Sequence, residues 1–128
     1  MKNKKKIKVG IIGGSGFTGG ELCRLLLNHK NVESIFPTSR SEISFKQTHP
    51  NLINSNLNFS DVKSIVSRDD LDVVFLCTKS TQSIEYAEKF KRKKVLVIDL
   101  SGAFRFKSAK KYFVAYGKKH SNINLLKT

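Results

Sequence analysis

Lys8-Val9-Gly10-Ile11-Ile12-Gly13-Gly14-Ser15-Gly16-Phe17-Thr18-Gly19-Gly20 is the stretch whose reading decides the fold. Its first five residues form a short apolar run, the pattern of a buried strand. A glycine-rich loop follows at once. Residues 21–29 come next, with Leu22, Leu25 and Leu26 at the spacing of one helix face. Residues 32–36 read as a second strand, and Thr38-Ser39-Arg40-Ser41 closes the unit. Strand, glycine loop, helix and strand in just over thirty residues is the context that gives a glycine pattern chemical meaning.

The meaning comes from geometry. Glycine lets a chain turn sharply and lets backbone N–H groups approach an anion with no Cβ between them. A loop that opens into a helix N-terminus adds unpaired N–H groups and the positive end of the helix dipole, a setting that favours a diphosphate. Here Gly13, Gly16 and Gly19 are spaced G-x-x-G-x-x-G rather than G-x-G-x-x-G. The end of the second strand bears on which dinucleotide fits. Domains that take NAD usually carry an acidic residue there, about twenty residues past the loop, for the ribose 2′-hydroxyl. This chain has hydroxyls and the Arg40 guanidinium instead. Such groups suit a 2′-phosphate, so NADP(H) is the expected cofactor.

The remaining pattern extends the same architecture. Residues 72–77 are a continuous apolar run, the habit of a parallel strand buried on both faces. Ile84, Ala87 and Phe90 mark a helix over 82–91, and 95–100 reads as another buried strand. Lys107 to Tyr116 carries Tyr112 and Tyr116 at helical spacing, with Gly117 placed to stop it. The expected fold class is therefore α/β: a Rossmann-like, doubly wound, mostly parallel sheet with helices on both faces. Residues 41–60 read as a long polar loop with a short strand near 57–59. For His49 within it the alternatives are contact with a ligand and plain solvation, of which solvation is the expected one. Ser60 and Asp61 offer an N-cap for a short helix through Val66. Ser101-Gly102-Ala103-Phe104-Arg105 leaves the end of the last strand. Arg105 is placed either to bind a phosphate or to pair with Asp99. No closing element is expected after His120.

The 128 residues suit one domain, divided here into a basic tail over 1–7 and a nucleotide-binding unit over 8–128. The net charge of +14 raises nucleic acid or acidic partners as a question. The lysines are spread along the chain, and those at 89–94 suit a helix C-terminus, so nucleic acid is not the expected partner. Cys23 and Cys77 lie in apolar settings and read as buried reduced thiols, neither a disulfide nor a metal site. No apolar run is long enough to span a membrane. The basic start lacks a secretory signal pattern, which leaves cytoplasm as the expected location.

Several of these stretches together resemble the N-acetyl-γ-glutamyl-phosphate reductases and their sister enzymes acting on carrier-protein-bound glutamyl or aminoadipyl phosphate. The matching pieces are VGIIGGSGFTGGELCRLLLNH (9–29), TSRS (38–41), HPNL (49–52), DVVFL (72–76), IDLSGAFRFK (98–107) and YGKKH (116–120). They run in the family's order over most of the chain. The resemblance implies NADPH-dependent reduction of an acyl phosphate to a semialdehyde in arginine or lysine synthesis, through a cysteine thioester. It implies that Ser15, Gly16, Phe17, Thr18 and Gly19 carry the diphosphate loop and that Thr38, Ser39, Arg40 and Ser41 hold the 2′-phosphate. It sets Ser101, Gly102 and Arg105 near the nicotinamide or substrate end, and implies a homo-oligomeric full-length form. Two departures stand out. Lys79-Ser80-Thr81 replaces the family's Pro-His-Gly or Pro-Asn-Gly turn. The family's nucleophilic cysteine belongs to a Gly-Cys segment expected beyond Thr128, so this chain is expected to supply no catalytic residue and no metal ligand.

Overall fold

The computed structural model describes residues 5–91 and 93–126. Four strands form one sheet: β1 (Ile7–Ile12), β2 (Val32–Pro37), β3 (Val73–Leu76) and β4 (Leu96–Asp99). All pairings are parallel, and the spatial order is β2-β1-β3-β4. Val9 of β1 lies opposite Ile35 on one side and Val73 on the other. Leu76 of β3 lies opposite Asp99 of β4. The chain thus moves from β1 outward to β2, then crosses back to β3 on the other side of β1. That reversal is the topological switch point, where open α/β sheets leave a crevice at the carboxyl ends of their strands.

Side-chain alternation along the strands divides the core in two. Val9 and Ile11 of β1 and Phe75 of β3 face helix α1 (Phe17–Leu27) and the short helix α2 (Phe45–Thr48). Their apolar partners there include Cys23, Leu22, Leu26 and Phe45. Ile12, Val74 and Leu76 face the opposite way, against Ile65 of α3 (Val62–Val66) and Phe90 of α4 (Ser80–Phe90). Helices on both faces of a parallel sheet are the doubly wound arrangement read from the sequence.

Several local expectations need correction. α1 begins at Phe17, four residues before the expected Glu21, so Gly19 and Gly20 lie within the helix. Its buried side runs through Gly19, Cys23 and Leu26, while Leu25 is half exposed. β1 begins at Ile7, one residue inside the expected tail, of which residues 1–4 lie outside the described residues. No strand forms at 57–59; that stretch instead adds Leu57 and Phe59 to the packing under α1. Residues 41–60 are more ordered than expected, with α2 followed by a 3-10 turn over Pro50–Leu52. A capping box starts α2: Ser44 Oγ accepts from Gln47 N, and the Gln47 side chain accepts from Ser44 N.

β4 was expected to be buried and is instead an edge strand. Among the described residues it pairs only with β3, and Leu96 is 60% exposed. Continuous apolarity fits either a central or an edge position, and only strand order separates them. α5 (Ala109–Tyr116) ends at Gly117, whose φ of 69° is the left-handed cap expected of it. Buried Tyr112 donates from its hydroxyl to Ser80 Oγ at 3.0 Å and so ties α5 to the start of α4. A closing element also exists where none was expected. α6 (Ile123–Leu126) buries Leu125 and Leu126, and buried His120 joins Ala103 O through Nε2 at 2.9 Å.

Two of the cations around the end of α4, Lys89 and Lys93, have structural partners. Lys89 pairs with Glu85, and Lys93 reaches Asp69 and the Arg68 carbonyl. Arg92 lies outside the described residues. No described helix is long and apolar enough to cross a membrane.

Candidate functional site

At the switch point, the ends of β1, β2 and β3 open into one groove of about 440 Å³. Gly13, Ser15 and Gly16 from the glycine loop line it, as do Thr38, Ser39, Arg40 and Ser41 from the end of β2. Thr78, Lys79, Gln82 and Tyr86 form the wall contributed by β3 and α4. The loop residues and the TSRS segment, expected to act together, therefore share one surface.

The loop is built by close approach. Gly13 has φ +85°, and a Cβ there would sit 2.5 Å from the Cys77 carbonyl oxygen. Gly19 brings α1 down onto the loop, where an added Cβ would lie 2.7 Å from Gly14 Cα. Thr38 fastens the loop to β2. Its Oγ1 accepts from Gly13 N at 3.1 Å, and its carbonyl accepts from Gly14 N at 2.9 Å. Thr38 is 1% exposed, so its first role is to hold the loop rather than to meet a ligand.

The N-cap position of α1 is Gly16 and that of α4 is Lys79, and neither gives a side-chain cap hydrogen bond. By contrast, Ser44, Asp61 and Ser108 cap α2, α3 and α5 with their own side chains. A helix start without a cap leaves N–H groups unpaired. Two such starts meet this groove, and both favour negative charge. Phe17 and Thr18, in the first turn of α1, are exposed; the Phe17 ring points wholly into solvent.

His49 corrects another expectation. Rather than standing in solvent, its Nε2 lies 2.7 Å from Gly14 O. Its ring meets Phe45 and Phe59 edge-on and packs against α1 at Gly20. A carbonyl partner makes Nε2 the protonated nitrogen. His49 thus braces the loop at the Gly14 carbonyl, while Thr38 holds the Gly13 and Gly14 N–H groups. It also lines a second groove of about 260 Å³ with Ser15, Gly16, Phe17 and Asn51.

Gln82 was not singled out by the sequence. With its amide oxygen toward the guanidinium, it accepts from Arg40 Nη2 at 2.8 Å and Nη1 at 3.0 Å. The Ser39 and Ser41 hydroxyl oxygens accept from Ser41 N and Ile43 N, which shapes the loop and leaves both O–H groups to donate outward.

The last strand's loop stands apart. Ser101, Gly102 and Arg105 do not line the 440 Å³ groove. Ser101 bonds Asp99 through both its N and its Oγ. Arg105 is exposed and makes no ion pair among the described residues, so the expected alternative of pairing with Asp99 does not occur. Of the Lys79-Ser80-Thr81 departure, Lys79 reaches the groove and Ser80 receives Tyr112.

Both cysteines are free thiols. Burial, and then the neighbouring Cys77, pushes the Cys23 thiol up to about 12. Burial and the nearby Asp99 carboxylate push Cys77 up to about 11. A thiol must lose its proton to attack, so neither is poised as a nucleophile. No cluster of metal-ligating side chains occurs among the described residues.

The residues present fit a dinucleotide on three counts: a cradle that a Cβ would fill, two uncapped helix starts, and an arginine beside them with no carboxylate lining the groove among the described residues. Comparison with known proteins agrees. An N-acetyl-gamma-glutamyl-phosphate reductase from Methanococcus maripaludis is 44% identical over 119 residues, covering 90% of this chain and 35% of the relative. A [LysW]-L-2-aminoadipate/[LysW]-L-glutamate phosphate reductase from Sulfurisphaera tokodaii is 42% identical over 124 residues, covering 94% and 36%. The chain therefore spans about a third of the length of these relatives. In fold it is similar to aspartate semialdehyde dehydrogenase II from Vibrio cholerae, with a TM-score of 0.64 at 19% identity over 82% of this chain and 34% of that one. Residues 8–124 match the family model described as semialdehyde dehydrogenase, NAD binding domain. With that match spanning nearly the whole chain and the cradle built as such a domain requires, the chain belongs to the semialdehyde dehydrogenase NAD-binding domain family.

Proposed function

We propose that this chain is the cofactor-binding part of an NADPH-dependent reductase that converts N-acetyl-γ-glutamyl phosphate to its semialdehyde. The observation that carries this reading is the switch-point groove, framed by the glycine loop and Arg40 and, among the described residues, lined by no carboxylate. The names of the relatives supply the substrate. In this reading the first-turn N–H groups around Ser15, Gly16, Phe17, Thr18 and Gly19 bind the diphosphate. Thr38 and His49 keep that loop in shape. Ser39, Arg40 and Ser41 take the 2′-phosphate. Ser101, Gly102 and Arg105, at the end of β4, face the substrate side. The reduced nicotinamide supplies the hydride. Attack on the acyl phosphate needs a thiolate, and the raised Cys23 and Cys77 thiols support a nucleophile other than these two.

A second reading is a reductase of carrier-protein-bound glutamyl or aminoadipyl phosphate. The 42% identity to the [LysW]-linked enzyme supports it, as does a net charge of +14, which would attract an acidic carrier. Steady-state reduction of the free acyl phosphate against the carrier-bound one, in the protein containing this domain, separates the two.

The 128-residue chain by itself is expected to bind NADPH, seen as a change in nicotinamide fluorescence, and to reduce neither acyl phosphate. Turnover by this chain would contradict the exclusion of Cys23 and Cys77.

A further inference from the structure

Arg40 sits on an exposed loop, where an arginine ordinarily samples many rotamers. Here it does not stand alone. Gln82, in the first turn of α4, receives both terminal nitrogens of the guanidinium on one amide oxygen, at 2.8 and 3.0 Å. We propose that Gln82 is a positioning residue for Arg40 and that this pair sets the choice of a 2′-phosphorylated nucleotide over an unphosphorylated one. The inference rests on the reading of the groove as a nucleotide site.

The donor inventory supports it. A guanidinium has five N–H groups, and the amide oxygen takes one from each terminal nitrogen. Nε–H and the outer proton on each Nη stay free. Nε–H and its neighbouring Nη2–H point the same way and form the side-on pair that fits two phosphate oxygens at once. Gln82 therefore occupies the end of the fork and leaves its edge for the ligand.

The neutrality of Gln82 matters equally. A carboxylate in the same place would hold Arg40 as well, but it would cancel the charge and repel a phosphate. The amide fixes direction and leaves the full positive charge. Lys79, three residues before Gln82, lines the same groove and adds a second cation, and no acidic side chain lines it among the described residues. Lys79 comes from the stretch that departs from the family's usual turn, and Gln82 follows directly after it.

The test is calorimetric binding of NADP+ and NAD+ by the protein and its Gln82→Glu, Gln82→Ala and Arg40→Ala variants, with thermal shift as a second readout. Gln82→Glu is expected to weaken NADP+ by about 30- to 100-fold, as a neutralised arginine and a new negative charge require. NAD+ affinity should stay within about threefold, since it presents no phosphate there. Gln82→Ala keeps the charge and loses only the orientation, so it should weaken NADP+ by about 5- to 10-fold. An unchanged NADP+ to NAD+ ratio in both Gln82 variants, with Arg40→Ala losing the preference for NADP+, would overturn the role of Gln82 and leave the groove reading intact. Failure of the parent protein to bind either nucleotide would overturn both.

Discussion

Replacing Gly19 by valine is expected to abolish dinucleotide binding and to destabilise the fold by about 3 kcal/mol or more. The side chain would have to enter a contact between two backbones. Gly19 lies against the Gly13 carbonyl, and a Cβ there would stand 2.7 Å from Gly14 Cα. The loop is held against retreat, because Thr38 binds the N–H groups of Gly13 and Gly14 and His49 binds the Gly14 carbonyl. Gly13 is itself wedged against the Cys77 carbonyl. Relief must therefore come from α1 lifting off the sheet. That would loosen Cys23, Leu22 and Leu26 from Val9 and Ile11, in one of the two halves of the core. Urea denaturation and NADP+ titration measure the two losses separately. A Gly19→Val protein with the parent's midpoint and affinity would show that the close approach of helix and loop is not what forms the site.

Arg40→Ala is expected to weaken NADP(H) by about 100-fold, close to 2.7 kcal/mol, the scale of a charge-assisted pair to a phosphate. NAD(H) should change by no more than about twofold, because the guanidinium leaves the groove's end without touching its glycine cradle. Since Arg40 is exposed and its partner is the neutral Gln82, the fold should keep its stability. Competitive titration with both nucleotides reads this directly. Equal losses for both would place Arg40 outside the 2′-phosphate set.

Much of this site was legible because its signals are local. A strand's apolar run, three spaced glycines and a polar TSRS segment are each visible in a few adjacent residues, and their order implied the switch-point fold. The start of α1 was misplaced for a physical reason. Gly19 and Gly20 are poor helix formers, yet the helix needs them to approach the loop, and packing overrides propensity. The buried side of α1 is set by a glycine and Cys23, so Leu25, the stronger apolar signal, pointed to the wrong edge. In residues 41–60 the Ser44-to-Gln47 capping box was present to be read, but α2 is too short for its periodicity to show. His49 and Gln82 carried no local signal at all. Each acquires its role from a partner distant in sequence, Gly14 and Arg40, that only the folded sheet brings near.

The most direct test of the account is where a nucleotide binds. Backbone amide resonances followed during NADP+ titration should shift at Gly13, Ser15, Gly16 and Thr18 and at Ser39, Arg40 and Ser41, with adenosine 2′-phosphate alone reproducing only the latter group. Shifts confined to the groove between α4 and α6, around Ala87, Phe104 and Leu126, or none at saturating NADP+, would contradict it.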